Sequence, residues 1–444
     1  MRLENLICRV PATNNNFDVK LKDLKQVRYT YYAALLVAML SFGTAQAQQT
    51  PVMQKFYLAT LQMQGRHLPV QLMVSLYYFE PGNYMPFAYT IINGDENISG
   101  QIIPTLQRDS FKMEIPVFNS AIIFATTPDA EIFNGRFYDY SRPGNYYLPF
   151  IAEMLADNAE DTRFPCAAEA PPTVDFSGKW DAVFYDQGVP DSTVGIFEQQ
   201  GKYLKGTFLT TTGDYRFLAG NVCGNKMFLS AFDGSHAFLF SGEMLADGTI
   251  KGNFYSGSHF TATFIAAKNP NAKLPDPEKL TYLKPGYTTI DFTFPDASGK
   301  PVSLSDPQFA NKAVIITITG SWCPNCMDET SYLSEIEETY KAKGLEIIAL
   351  SFERKTDSAT FAMSIQKVRD HFGTEFTYLN AGLPKTASDA LPMLNKVMGF
   401  PTMILLDRNH EVVSIHTGFS GPATNKLFVE FQQKFEKELL EALR

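Results

Sequence analysis

The stretch Gly320-Ser321-Trp322-Cys323-Pro324-Asn325-Cys326-Met327-Asp328-Glu329-Thr330 places two cysteines two residues apart, just behind a tryptophan. Such a pair serves as half of a zinc site, as a structural staple, or as a dithiol that exchanges electrons with a disulfide. Its position in the chain separates these readings. VIITITG, Val314 to Gly320, is a run of β-branched residues of the kind that forms a buried strand. The residues after Cys323 read as a helix to about Lys343, with Pro324 at the first helical position, where proline's missing N–H costs nothing. Cys323 therefore opens a helix, and the free N–H groups and dipole at that end favour its thiolate. Cys326, one turn further in, is placed to resolve a mixed disulfide formed by its partner. A structural staple needs no such junction. A zinc site needs four ligands at close spacing. Downstream of the pair stand only His371, His410 and His416, without that spacing. No metal and no cofactor is expected.

Outward from the pair, LEIIALSFE reads as a second strand and SATFAMSIQKVRDHF as a second helix. TMILLD and EVVSIHTG form a hairpin across Arg408 to His410, and KLFVEFQQKFEKELLEAL is a closing amphipathic helix. That order predicts an α/β layer with a mixed sheet. Phe400-Pro401-Thr402 precedes the hairpin. Its plain reading is a proline starting an edge strand. Its functional reading is a cis-proline that turns main-chain groups toward the cysteines, where an incoming peptide can pair with them.

The chain before this layer reads differently. From about Phe56 to Ala267, short alternating segments are punctuated by Gly, Asn-Gly, Asp-Gly and Pro-Gly turns, and the one segment with helical character is LPFIAEMLADN. Two stretches recur in order roughly 115 residues downstream: FKMEIPVFNSAIIF as NKMFLSAFDGSHAFLF, and IFNGRFYDYS as TIKGNFYSGS. The expectation is two tandem small antiparallel barrels or sandwiches, at 51–163 and 173–268, joined by the Pro/Ala-rich FPCAAEAPPTVDF. A linker at 269–283 leads to the α/β part at 284–444.

At the N-terminus, Lys20, Lys22, Lys25 and Arg28 precede the uncharged run Tyr29 to Ala45, followed by Ala45-Gln46-Ala47. This pattern predicts a secretory signal peptide over 1–47, with an uncleaved membrane anchor as the alternative. The remaining chain is then placed outside the cytoplasm, in the periplasm or cell envelope. Cys8 leaves with the leader. Cys166, Cys223, Cys323 and Cys326 remain in an oxidising compartment, so Cys166 and Cys223 form either a structural disulfide or two separate thiols. A net charge of -9 argues against nucleic acid as a partner. His236 and His259, on strands of the second β domain, and His416, on the last strand, are read as hydrogen-bonded structural histidines before ligands.

W-C-x-x-C after a strand, with P-T before a later hairpin strand, resembles the thioredoxin superfamily. IDFTFPDASGKPVSLSD ahead of GSWCPNCMDE is similar to its TlpA/ResA-type extracytoplasmic branch, over roughly Lys284 to Arg444. GTFLTTTGDYRFLAG, FDGSHAFLF and FYSGSH resemble the region preceding this domain in TlpA-like proteins of Bacteroidetes. The resemblance implies a thioredoxin fold and thiol–disulfide oxidoreductase activity. It implies Cys323 as the attacking cysteine, Cys326 as the resolving one, Pro401 as the cis-proline and Trp322 as the tryptophan packed beside the site. Glu329 matches an acidic residue held beside the pair. Positions 326 and 329 share a helical face, so Glu329 is either a proton relay for Cys326 or a solvated first-turn glutamate.

Thr317 stands where thioredoxin has a buried aspartate, so a relay through that position is not implied. Peroxiredoxins share the opening of this domain, but Ile316 and Gly320 stand where their peroxidatic pattern wants Pro and Thr or Ser. The resemblance further implies a disulfide-containing protein substrate, such as cysteines awaiting haem, and a membrane-borne electron donor. Reduction is the direction toward which it leans, with an oxidase or isomerase as alternative. A binding protein using the thioredoxin domain as scaffold is the alternative of another class.

Overall fold

Alternating apolar residues in the first half of the chain fold as expected into strands with one buried face. The computed structural model of the protein describes residues 52–106, 110–156, 163–164, 166 and 170–444. The leader predicted at 1–47, with Cys8, lies outside them. The first eight strands are β1 (Val52–Met63), β2 (Arg66–Glu80), β3 (Asn83–Asn93), β4 (Glu96–Pro104), β5 (Phe111–Glu114), β6 (Ser120–Thr126), β7 (Ile132–Asp139) and β8 (Tyr147–Met154). Each pairs antiparallel with the next, and β8 returns to β1, so the sheet closes into a barrel with no free edge. Leu148 to Met154, read from sequence as having helical character, are strand β8, with Leu148, Phe150 and Ala152 pointing into the barrel. Closure of the barrel needs a partner for β1 there, and pairing overrides local propensity.

The second barrel repeats this plan in β9 (Gly178–Asp186), β10 (Val189–Gln200), β11 (Tyr203–Thr210), β12 (Gly213–Asp214), β13 (Leu218–Cys223), β14 (Lys226–Phe232), β15 (Ala237–Met244), β16 (Ile250–Ser256) and β17 (Phe260–Lys268). Strand β17 closes on β9, and β10 pairs with both β9 and β11. The short β12 is the one addition to the first barrel's order. Met113 on β5 and Met227 on β14 take equivalent places and are fully buried. Gly135 and Gly252, on β7 and β16, are glycine for a common reason: a Cβ at either would collide with its neighbours, the β6 backbone in one case and the Phe264 ring in the other. The core of the second barrel is a stack of rings, Phe184, Phe208, Phe240, Phe254 and Phe264.

The remaining chain is an α/β unit. After the β18 (Thr293–Pro295) and β19 (Pro301–Ser303) hairpin come β20 (Ala313–Thr319), helix α1 (Pro324–Tyr340), β21 (Leu345–Phe352), helix α2 (Ser358–Phe372), β22 (Thr377–Gly382), a one-turn helix α3 (Ala387–Ala390), β23 (Thr402–Leu406), β24 (Val412–Thr417) and helix α4 (Lys426–Ala442). The sheet order is β22-β21-β20-β23-β24, with β20 and β21 parallel and β23 antiparallel to β20. Every residue of β20 is buried. Ala313 and Ile315 join the core that holds Leu333 and Ile336 of α1, whereas Val314, Ile316 and Ile318 face Phe292 and Leu391. This alternation puts Thr317 on the α1 side. Among the described residues no helix is long and apolar enough to cross a membrane.

The join between the barrels is anchored. Arg163 is buried and donates to the carbonyls of Ser230 and Ile92, one in each barrel. Cys166 and Cys223, 57 residues apart, are disulfide-bonded with Cα atoms 5.4 Å apart. Closing a loop of that length restricts the unfolded chain. Replacing both cysteines by alanine should therefore lower the stability of the second barrel by about 2–4 kcal/mol in denaturant titrations. A change below about 0.5 kcal/mol, the range of an ordinary surface substitution, would show that the linker is held without the bond.

Candidate functional site

The site begins where β20 ends. Gly320 is packed so closely that a Cβ there would strike the Trp322 indole and the Phe352 carbonyl. The chain turns through Ser321 and Trp322, and Cys323 is the N-cap of α1, in extended conformation, with Pro324 at the first helical position. The Cys323 sulfur accepts the Cys326 N–H at 3.2 Å, taking one of the donors a helix start leaves unpaired. Cys323 and Cys326 are disulfide-bonded, with Cα atoms 5.2 Å apart. Cys326 is fully buried and Cys323 is 6% exposed.

Trp322 is fixed on three sides. Its indole N–H donates to the Phe352 carbonyl at 2.9 Å, its ring meets Phe400 edge to face at 5.6 Å, and the Arg354 guanidinium lies 4.9 Å over it. The Phe400–Pro401 peptide is cis. The Phe400 carbonyl oxygen lies 3.8 Å from the Cys323 sulfur, and the Pro401 carbonyl accepts the Gly418 N–H at 2.8 Å. The edge-strand reading of Pro401 is set aside, because β23 is paired on both sides, with β20 and β24.

Glu329 is 1% exposed, so the solvated first-turn alternative does not hold. It is held between strand and helix: Thr317 Oγ1 donates to its Oε2 at 2.5 Å, while Oε1 is buried with no hydrogen-bond partner. Burial pushes its pKa up from 4.5 to about 8, the hydrogen bond from Thr317 only partly offsetting this. Burial therefore favours the protonated carboxyl at neutral pH. It lies one helical turn beyond Cys326, on the same face of α1.

Glu353 was not found from the sequence. It is buried and binds the turn before the cysteines, accepting the Ser321 N–H at 2.9 Å and the Ser321 hydroxyl at 2.8 Å. Burial raises its pKa, with both Ser321 hydrogen bonds opposing. It lies immediately after the last residue of β21, an acidic residue directly following a strand buried at all positions but Glu346, and that placement was the available signal.

The histidines lie apart from the pair. His236 and His259 sit on turns, not strands: Asp233 Oδ1 accepts the Ser235 and His236 N–H groups, which curls the chain ahead of β15. His259 packs against Arg142 and the edge of Tyr146. His416 is on β24, against Phe431, and burial pushes its pKa down to about 4, keeping the ring neutral. Among the described residues no group of three or more His, Cys, Asp or Glu is placed to hold a metal.

Residues 284–427 match the Redoxin family. The ResA thiol-disulfide oxidoreductase of Geobacillus kaustophilus is 30% identical over 138 residues, covering 31% of this chain and 72% of that protein. The ResA protein of Halalkalibacterium halodurans is 24% identical over 155 residues, 34% of this chain and 78% of the relative. Among solved structures, a thioredoxin-family thiol:disulfide interchange protein from Chlorobium tepidum aligns at 18% identity over 35% of this chain and 96% of its own, with a TM-score of 0.27. A buried cysteine pair at a strand-to-helix junction, in a chain this similar to ResA along most of that protein's length, has one family to which it fits. The chain belongs to the ResA thiol-disulfide oxidoreductases of the thioredoxin superfamily, carried here behind two β-barrels.

Proposed function

We propose that the chain is an extracytoplasmic reductase of protein disulfides, with Cys323 attacking, Cys326 resolving, and Glu329 moving the proton. In the reduced form the Cys323 thiolate attacks one sulfur of a substrate disulfide, and the other sulfur leaves as a thiolate. Cys326 loses its proton and attacks Cys323, which releases the substrate as a dithiol and leaves Cys323–Cys326 oxidised. Two electrons have then passed to the substrate, and the two protons of its dithiol are the one Cys326 gives up and one taken from solvent. A membrane-borne dithiol donor restores the pair by the reverse sequence. Trp322 and the Phe400-Pro401 segment position the substrate chain against Cys323.

The observation that carries this reading is the buried carboxyl one turn beyond the buried thiol. A carboxyl with a pKa of about 8 is close to an ordinary thiol, near 8.5, so a proton passes between Glu329 and Cys326 at little cost in either direction. The same surroundings favour giving electrons. Strong oxidants of this superfamily hold their reduced form as a stabilised thiolate. Here Cys326 is fully buried, and Glu329 adds a negative charge when it ionises, so beyond the helix start nothing among the described residues supplies a comparable stabilisation of a thiolate. The scaffold alternative gives way to membership of an oxidoreductase family.

Three measurements test this. With a dithiol supplied, the chain should reduce the interchain disulfides of insulin, and Cys323→Ser should not. No reduction by the intact chain would overturn the catalytic reading. Cys326→Ser should accumulate a mixed disulfide at Cys323, seen as a covalent adduct that dithiothreitol releases; an adduct on another cysteine would reassign the attacking thiol. Glu329→Gln should slow turnover roughly a hundredfold to ten-thousandfold at neutral pH, the range of a lost general acid–base. The pH dependence of stability is a separate readout. Between pH 4.5 and about 8 the folded chain keeps a proton on Glu329 that the unfolded chain releases, so stability from this group falls as pH rises through that window. Glu329→Gln should flatten the decline. An unchanged slope would mean that Glu329 ionises normally.

A further inference from the structure

The second barrel reaches the cysteine motif itself. The turn between β11 and β12 carries Thr212 into the face beside the cis-proline: a Cβ added at Gly399, the residue before Phe400, would collide with the Thr212 side chain. A Cβ at Gly418, whose N–H binds the Pro401 carbonyl, would come within 2.9 Å of the Thr211 carbonyl oxygen. Gly213 follows with φ +150°, and any side chain there would run into Asn325 of the C-P-N-C motif. Asn325 Nδ2 in turn donates to the Asp214 carbonyl at 3.1 Å. From the neighbouring β14–β15 turn, Ser235 Oγ donates to the Trp322 carbonyl at 2.9 Å.

This contact is latched by charge. Asp214 is buried and accepts the Gly421 N–H at 2.8 Å through Oδ2. Arg216, buried at the end of the same turn, forms ion pairs with Asp328 of α1 and with Glu96 of the first barrel. One turn of the second barrel is thereby tied to the helix that carries both cysteines and to the other barrel. Nothing in the exchange chemistry uses Thr212, Asp214 or Arg216. Thr212 lies against the residues flanking the cis-proline, a segment whose main chain is open to pairing with a substrate strand, while Asp214 and Arg216 hold the turn in that place.

We infer that the Thr211–Arg216 turn is a lid that sets the size of disulfide admitted to Cys323. With the lid closed, small and slender disulfides reach the sulfur. A folded protein's disulfide docks only when the turn withdraws from Asn325 and Gly399. The inference deepens the reading of Cys323 as the attacking thiol and rests on it, but its test does not need turnover.

The chain is reduced, and Cys323 is alkylated with N-ethylmaleimide or with a maleimide bearing a polyethylene-glycol chain, the site of labelling being read by peptide mass mapping. In the wild type the bulky reagent should lag far behind the small one. Gly213→Val, which drives the turn off Asn325, and Asp328→Asn, which weakens the latch, should each speed bulky labelling by about tenfold or more, as the open fraction grows, and change small-reagent labelling by less than about threefold. The two variants act by independent means, so if one fails to fold the other decides, with thermal unfolding as the check. Equal labelling by both reagents in the wild type, or an unchanged bulky rate in a folded variant, overturns the lid alone. Labelling of Cys326 ahead of Cys323 overturns the attacking-thiol reading, and the lid with it.

Discussion

The hydrogen bond from the Cys326 N–H to the Cys323 sulfur is the contact on which the site depends. It exists because a strand buried at every position ends where a helix must start, and because the helix's first donors need an acceptor. A sulfur in that place is partly compensated for negative charge before any substrate arrives. Thr317 and Glu329 brace the same junction from within, one on the strand and one on the helix, so the carboxyl is a tie between elements whatever protons it moves. Glu353 does the corresponding work on the outer side by holding Ser321. The dithiol is thus set among groups that keep α1, β20 and β21 in register.

The barrels solve a different problem. A sheet with free edges beside a reactive disulfide would invite strand pairing with other chains, and closure removes those edges. The second barrel's core is filled with aromatic rings and the first barrel's with aliphatic side chains and rings together, each packed into a closed interior. The polar bridges between barrels and α/β unit, Ser141 with Arg354 and Asp328 with Arg216, surround the cysteine turn. The cysteine turn is therefore a junction of the two barrels and the α/β unit, bridged by residues that carry no exchange chemistry.

Much of this was legible in the chain. The cysteine pair, its strand and its helix are local patterns, and so are the proline ahead of β23 and the doubled β segment. What could not be read depends on long-range packing. Leu148 to Met154 look helical by spacing and become a strand because β1 needs a partner. Strand β22 has a mixed, short sequence, TYLNAG, and is defined by its pairing with β21. Glu329 could be placed beside Cys326 from spacing, but its burial, and hence its charge state, needed Thr317 and the surrounding core. Arg216, Asp214 and Thr212 are ordinary turn residues in sequence. Only the contact between bodies gives them a role.

The central claim is that Cys323 and Cys326 form a couple that gives electrons. Equilibrating the intact chain with glutathione buffers of known ratio, and counting free Cys323 and Cys326 thiols by mass spectrometry, measures its potential directly. A value more negative than the glutaredoxin range of about -200 to -230 mV is the result the account predicts. A value near about -120 mV, where strong disulfide oxidants lie, would contradict it.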